Sequence, residues 1–352
     1  MEYYIGCDAH KTYSVFAGIS EAGEVIDAKR VEHDRMVFRS FLGTLPPACR
    51  IAVETVGNWY WIIDEMERAG HKPSLTHAAR AKLMMGQVNK TDKLDARGLA
   101  ILARNGTLPE VWIPPGDLRD QRELPRMRMA FVYIRTKLKN RIHAALAKYA
   151  ITIDGATDIF GAKGQRLLAE AMDELPPETR HSVEEQLHLL GQVEDAIKET
   201  EKRILGIIEA SHTMRLLDTL PGVGSILAIV IALEVGDVRR FASAERLVSY
   251  AGKSPRVNSS GGKTHYGRVR ADVNRYLKWA YTEAANAIVL QQHRLGDCHV
   301  LRLYWRIRNT HGHAKAITAV GRHLAEATYW VLRNDEPYRE PANKQVVGSQ
   351  AG

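Results

Sequence analysis

Cysteine is scarce: Cys7, Cys49 and Cys298 are the only three, widely spaced and without a CxxC pair. An odd number at that spacing argues against a disulfide framework and against a cysteine-based zinc site, and it fits a reducing compartment. Long apolar runs are missing as well. The longest, Ile226 to Leu233, falls far short of the roughly 20 residues a membrane helix needs. The opening Met-Glu-Tyr-Tyr carries no basic region followed by an apolar stretch, so the expected location is the cytoplasm, with no membrane partner. Low-complexity tracts and internal repeats are absent too. Acidic residues are outnumbered, 41 against 49 Lys and Arg, for a formal charge of +8, which points to a polyanionic partner.

What is present describes a folded protein. A chain of 352 residues, 45% hydrophobic and 26% charged, is too long for one ordinary compact domain. The basic excess is concentrated: between Lys253 and Lys278 seven Lys or Arg accompany a single acid, Asp272. That segment is a candidate nucleic-acid surface, and a merely solvated face is the competing reading.

The hydrophobic pattern predicts strands at Tyr3 to Asp8, Ser14 to Ile19 and Glu24 to Val31. A helix over Arg35 to Leu45, a strand over Arg50 to Glu54, a helix over Trp59 to Ala69 and a strand over Lys72 to Thr76 follow. Three meandering strands and then alternating helices and strands make an α/β domain of ribonuclease H-like order. Asp92 to Arg104 reads as a further helix, and Pro114-Pro115 closes the domain. Beyond it come a basic helix, Arg126 to Ala150, and a helix over Val183 to Glu209 with Leu187, Leu190, Ile197, Ile204 and Ile208 on one stripe. That stripe suits either a dimer coiled coil or a helix-hairpin seam, since Glu194 and Glu201 interrupt it. The expected divisions are residues 1–115, a helical connector 116–213, a mostly helical domain 214–335 and a flexible tail 336–352.

The chemistry-bearing residues fall in two groups. Asp8 and Glu54 end the first and fourth strands, which are neighbours in a ribonuclease H-like sheet. Asp92 and Asp95, three apart at a helix start, share one helix face. Taken singly, these acids also suit solvated strand ends and helix capping. Four carboxylates brought together repel one another unless cations neutralise them, and two Mg2+ ions suit both that task and phosphodiester displacement.

In the second group, Leu220-Pro-Gly-Val-Gly224 before an apolar helix resembles a helix-hairpin-helix turn. There Gly222 and Gly224 offer backbone amides to a phosphate, with a plain helix-helix turn as the alternative. The Lys253 to Arg270 segment sets Ser259 and Ser260 before two glycines and among Lys253, Arg256, Lys263, Arg268 and Arg270. Cations around an unhindered hydroxyl favour attack on a phosphate. The same composition also describes a flexible basic loop.

Together these segments resemble the DEDD transposases of bacterial insertion sequences, the family that includes the Piv-type DNA invertases. The resemblance runs from about residue 3 to residue 333 and rests on five motifs in order. These are Gly6-Cys-Asp-Ala-His-Lys11, Val53-Glu-Thr55, Lys90-Thr-Asp-Lys-Leu-Asp-Ala-Arg97, Leu220-Pro-Gly-Val-Gly224 and Ser259-Ser-Gly-Gly-Lys263. It implies a RuvC-like domain whose metal-binding tetrad is Asp8, Glu54, Asp92 and Asp95, and a catalytic serine at Ser260, since Ser259 stands one position early. It further implies insertion-sequence DNA as donor and target and a guiding non-coding RNA that pairs with both. A homodimer or homotetramer is expected, with a serine of one protomer completing a carboxylate site of another. Thr76-His-Ala78 departs from the family's usual Asn-Pro pair, Pro125 falls in a stretch that is normally unbroken helix, and Thr310-His-Gly-His313 has no assigned role. The alternatives are a metal-dependent junction resolvase or nuclease without a covalent step, and a non-catalytic nucleic-acid-binding protein. Actin-like phosphotransferases also open on a strand-end Asp, but they need later Gly-rich phosphate loops that are missing here.

Overall fold

A computed structural model describes residues 2–86, 91–207, 211–269 and 272–341. The chain divides into two compact units, Met1–Pro114 and Pro115–Gly352, so the helices expected as a separate connector belong to the second.

The first unit begins with β1 (Tyr3–Ala9), β2 (Tyr13–Ser20) and β3 (Val25–Glu32), then α1 (Arg35–Leu42), β4 (Arg50–Glu54), α2 (Trp59–Arg68) and β5 (Lys72–Thr76). It ends with α3 (Ala78–Met85), α4 (Asp92–Arg104) and the short β6 (Glu110–Val111). The strands form one six-stranded sheet in the order β3-β2-β1-β4-β5-β6. Pairing is antiparallel through the meander, parallel from β1 through β4 to β5, and antiparallel at β6. A mixed sheet of this order with flanking helices fits a ribonuclease H-like fold. The sequence pattern did not announce α3, which buries only Ala81, or β6, which is two residues long.

Strand alternation decides what each face carries. Ile5, Cys7 and Ala9 of β1 enter an apolar core with Phe16, Phe38, Leu42, Ile51, Val53 and Ile63. The residues between them, Tyr4, Gly6 and Asp8, therefore turn to the opposite face, where Tyr4 packs with Ala100 of α4. On β4 the same rule sends Ile51 and Val53 to the first core and Ala52 to α4, where it meets Leu99 and Leu102. Glu54 continues the Ala52 side.

The second unit is mostly helical. It contains α5 (Gly116–Gln121), α6 (Glu123–Lys148), α7 (Ala162–Ala171), α8 (Pro177–Ile207), α9 (His212–Asp218), α10 (Ser225–Val235) and α11 (Ala244–Tyr250). A hairpin of β7 (Pro255–Ser260) and β8 (Lys263–Val269) follows, and then α12 (Arg275–Leu290), α13 (Gln292–Leu295), α14 (His299–His311) and α15 (His313–Asn334). Pro125 sits in the first turn of α6, where its missing N–H leaves no helical bond unmade.

The stripe on α8 packs within the chain: Val183, Leu190, Val193 and Ile197 meet Leu138, Ile142 and Leu146 of α6. Glu194 and Glu201, which break the heptad, face Lys139 at 3.4 Å and Arg128 at 2.5 Å. The seam is thus a helix pair, the second of the two expected readings; Ile208 and Glu209 lie outside the described residues. The Thr310-His-Gly-His segment is the turn between α14 and α15, with Gly312 at φ 83° and His313 Nδ1 2.9 Å from the Tyr304 hydroxyl. The chain after Glu336, expected to be loose, is tied down as far as Pro341. Tyr338 N–H donates to Thr219 Oγ1 (2.8 Å) and Glu340 accepts from His299 N–H (3.0 Å).

One buried acid links three helices of this unit. Glu234, 1% exposed near the end of α10, accepts from the Arg126 guanidinium at 2.8 and 3.2 Å and from the Asn274 amide at 2.8 Å. Asn274 in turn caps α12, accepting from the Tyr276 and Leu277 amides. Arg122, also buried, donates to the Leu233 carbonyl at 2.8 Å. Glu234→Ala should cost about 3–5 kcal/mol, because it leaves buried guanidinium charge without its partner. The check is a fall in the denaturation midpoint, and an unchanged midpoint would show the pair to be dispensable.

Candidate carboxylate centre and serine hairpin

The centre is assembled where α4 crosses β1. Thr91 caps α4, its hydroxyl accepting from Leu94 N–H, and Asp92 and Asp95 occupy the first turn, where the helix dipole favours negative charge. Positions 92, 96 and 100 recur every four residues and form one stripe of the helix. Ala96 and Ala100 of that stripe lie directly over Gly6, where a Cβ would stand 1.8 Å from the Ala96 carbonyl oxygen and 2.9 Å from the Ala100 nitrogen. The bare backbone of Gly6 therefore lets α4 descend onto the sheet. Asp92 is at the end of the stripe nearest the edge of β1 that carries Asp8.

Asp8 is buried, 8% exposed. His10, two positions further along the same face, has Nε2 3.2 Å from Asp8 Oδ2 and 3.2 Å from Asp92 Oδ2. The Tyr13 hydroxyl donates to the same Asp92 oxygen at 3.0 Å. That bond, with burial second, raises Tyr13 above the ordinary phenol range and keeps its proton in place. Ligand atoms of Asp8, His10 and Asp92 all lie within 4.8 Å of one another. Glu54 does not join that group, although the register pairs Cys7 with Val53 and so sets Glu54 beside Asp8 on the α4 face. Asp95, half-buried one turn along α4, also stays outside it.

The chain around His10 is braced. The Asn58 amide donates to the His10 carbonyl at 2.9 Å, and His10 N–H donates to the Tyr13 carbonyl at 2.8 Å. His33 holds the same turn from beneath, its ring 2.8 Å from the Ser14 hydroxyl and 3.3 Å from the Lys11 carbonyl. Burial lowers His33 below the usual imidazole range, which favours its neutral form. Neighbouring Cys7 faces the opposite core, and burial pushes its thiol up to about 12, so it is inert.

These residues fit a divalent cation. Two ligand atoms at right angles around an ion with bonds of about 2.1 Å lie about 3 Å apart, close to the 3.2 Å spacings at His10. The Nε2 atom is shielded from solvent and has no hydrogen-bond partner of good geometry. Two carboxylates and a nitrogen thus converge on one point. His10 and Tyr13 were not singled out by the sequence reading, yet the two-residue period from Asp8 was enough to set His10 on the same face.

In the second unit the Ser/Gly segment, read as a flexible loop, is a two-stranded hairpin. Gly261 and Gly262 both take left-handed φ, 56° and 75°, as a tight two-residue turn requires. Ser260 pairs with Lys263 and Ser259 with Thr264, so the two serines point to opposite sides of the ribbon. Both are exposed. Ser259 Oγ lies 3.4 Å from the Thr264 hydroxyl, whereas the Ser260 hydroxyl has no partner among the described residues.

Arg256 and Lys263 are exposed on the hairpin, while the Arg268 side chain and all of Arg270 lie outside the described residues. Lys253, expected to face nucleic acid, is only 4% exposed, and its ammonium donates to Thr282 Oγ1 at 2.6 Å. Gly222 (φ 70°) abuts α12, where a Cβ would lie 2.3 Å from the Ala284 carbonyl oxygen. Close packing therefore accounts for that glycine on its own. Gly224 caps α10 and has open space around its Cα.

Comparison with known families agrees with this layout. Residues 5–151 match the IS110-type DEDD transposase model, described as a transposase, and residues 214–298 match the model described as "Transposase IS116/IS110/IS902 family". The class is therefore DNA transposase of the DEDD type. Within it the chain is similar to insertion-sequence transposases of the IS110, IS116 and IS1111 type. The chain is 25% identical over 338 residues to the transposase for insertion sequence element IS1111A of Coxiella burnetii, covering 95% of this chain and 91% of the relative. It is 26% identical over 236 residues to the IS1328 transposase of Yersinia enterocolitica, covering 67% and 69% of the two chains. It is 27% identical over 149 residues to the pilin gene-inverting protein of Moraxella bovis, covering 41% and 45%. The DEDD family generally uses a divalent metal. No helix among the described residues is long and apolar enough to cross a membrane.

Two outcomes follow. Gly6→Ala should lift α4 from β1, costing about 1–3 kcal/mol by overpacking and weakening divalent-metal binding in a titration; wild-type affinity would show that the close approach is not needed. Burial lowers Lys253 from its ordinary 10.5 to about 8. Between those values the unfolded chain binds the extra proton, so stability should rise with pH across the window, by up to about 3 kcal/mol from this group. Denaturation midpoints measured below and above that window should show a rise in wild type that Lys253→Met lacks.

Proposed function

We propose that the chain cleaves and rejoins DNA strands of its insertion sequence, with Asp8, Glu54, Asp92 and Asp95 holding divalent cations, Mg2+ in the simplest case, and Ser260 serving as nucleophile. The observation that carries this reading is the convergence of Asp8 and Asp92 at the α4–β1 crossing, with ligand atoms within 4.8 Å. When bound there, divalent cations supply Lewis acidity toward a phosphodiester. Glu54 lies next to Asp8 in the register, and this reading requires its side chain and that of Asp95 to move into the same cluster. Tyr13 holds one Asp92 oxygen in place, and Asn58 and His33 fix the turn beside it.

Ser260 is exposed at the hairpin tip next to a flanking cation, Lys263, and two glycines that leave the approach open. In the proposed step the Ser260 hydroxyl gives up its proton as the Oγ–phosphorus bond forms. The bond from phosphorus to the displaced sugar oxygen breaks, and that oxygen leaves as a hydroxyl. The cationic side chains of Arg256 and Lys263 contact phosphate, and contacts of that kind position DNA without reading its sequence. Site choice is assigned to a guide RNA from the element that pairs with donor and target DNA. The active species is a homodimer or homotetramer.

Asp92→Ala and Ser260→Ala should each lower strand joining on a donor–target substrate by about 1,000-fold or more, while nucleic-acid binding stays near wild type. Full joining by Ser260→Ala removes the serine from the mechanism. Cleavage that persists in Ser260→Ala, with no protein–DNA adduct in wild type, identifies a junction resolvase or nuclease instead.

A further inference from the structure

We infer that His10 is itself a metal ligand, and that its nitrogen turns the centre from a magnesium-type oxygen site into one that favours Mn2+ or Co2+. This rests on the reading of Asp8 and Asp92 as metal ligands. Three features of the residue separate it from a bystander. Its Nε2 is equidistant, at 3.2 Å, from one oxygen of each carboxylate. The same atom is sealed from solvent yet makes no hydrogen bond of good geometry to either oxygen. Its position is enforced from outside the cluster, by the Asn58 amide on its carbonyl, by its own N–H on the Tyr13 carbonyl and by the Tyr13 ring 4.5 Å from its own. A histidine present only to neutralise the two acids would be expected to aim an N–H along one of the 3.2 Å vectors. A ligand directs its lone pair to the point the oxygens also face.

The consequence is chemical selectivity. Mg2+ prefers an all-oxygen shell and gives up water reluctantly, whereas affinity for an imidazole nitrogen rises from Mn2+ through Co2+ along the first transition row. With Asp8 and Asp92 supplying two oxygens, His10 supplies the donor that distinguishes the ions.

The test uses the full-length chain loaded with Mn2+ alone, with pulsed paramagnetic resonance to detect nitrogen coupled to the metal, and competition titrations of Mn2+ against Mg2+. Wild type should show the coupling of a directly bound imidazole and hold Mn2+ in preference to Mg2+. His10→Ala should lose that coupling and bind Mn2+ at least about tenfold more weakly, with Mg2+ affinity much less changed. His10→Gln, which offers an amide oxygen and fills the space, should keep Mn2+ binding without the nitrogen signal, and so separates ligation from folding. Bound Mn2+ that depends on Asp92 but shows no nitrogen coupling in wild type overturns the His10 assignment and leaves the carboxylate reading intact. Absence of any Mn2+ or Mg2+ binding that Asp92→Ala removes overturns both.

Discussion

The backbone of α4 rests on β1 at Gly6, and the carboxylate cluster inherits its geometry from that contact. Glycine in a strand interior forfeits packing and conformational entropy, of the order of 0.5–1 kcal/mol against alanine. Here the loss is offset from below by Ile5 and Cys7, which pin β1 to a fully buried core on the far face. Above, it is the backbone of Ala96 and Ala100 that meets Gly6, and these two residues share their helical stripe with Asp92. A backbone-to-backbone contact is stiffer than one between long side chains. It suits a place where acids on separate elements must stay close despite their mutual repulsion.

The second unit meets a related difficulty, charge taken out of water, in two ways. Glu234 is paired and hydrogen-bonded by Arg126 and Asn274, so its charge is matched by partners from other helices. Lys253 has a neutral partner, the Thr282 hydroxyl, and burial, with the charge of Lys278 second, weakens its hold on a proton. The first arrangement ties α6, α10 and the start of α12 together. The second sits between α11 and the hairpin, where the chain turns from core into the exposed ribbon.

Much of this was legible in the sequence, and the reasons are specific. Asp8 and Glu54 stood out because apolar alternation ends on them, and the neighbouring order of their strands followed from the meander. Asp92 and Asp95 stood out through their spacing at a helix start. The extent to which the four acids converge was not legible, since it depends on side-chain rotamers at the strand and helix ends. Of the four, only Asp8 and Asp92 are drawn together, and the third side chain of the group is His10. The hairpin was hidden by composition: serine, glycine and lysine read as a loop, although Val257 and Thr264 flanking a Gly-Gly pair are strand-compatible. Lys253 was counted among surface cations because a linear tally of charge carries no information about α12 and α15 closing over it. On α8 the sequence held two readings open, and the acids Glu194 and Glu201 settled the matter only once Lys139 and Arg128 were seen opposite them.

The two-glycine tip of the β7–β8 hairpin has a further bearing on how this segment can change. Because neighbouring residues on a ribbon alternate sides, insertion or deletion of a single residue in the β7 arm, unless a bulge takes it up, would exchange the sides occupied by the two serines. The ribbon already carries one such irregularity, between Pro255 and Val257, so an odd change in arm length is absorbed where a bulge can form. Loss of one residue beyond the reach of a bulge would set the Ser259 hydroxyl on the side that Ser260 now occupies.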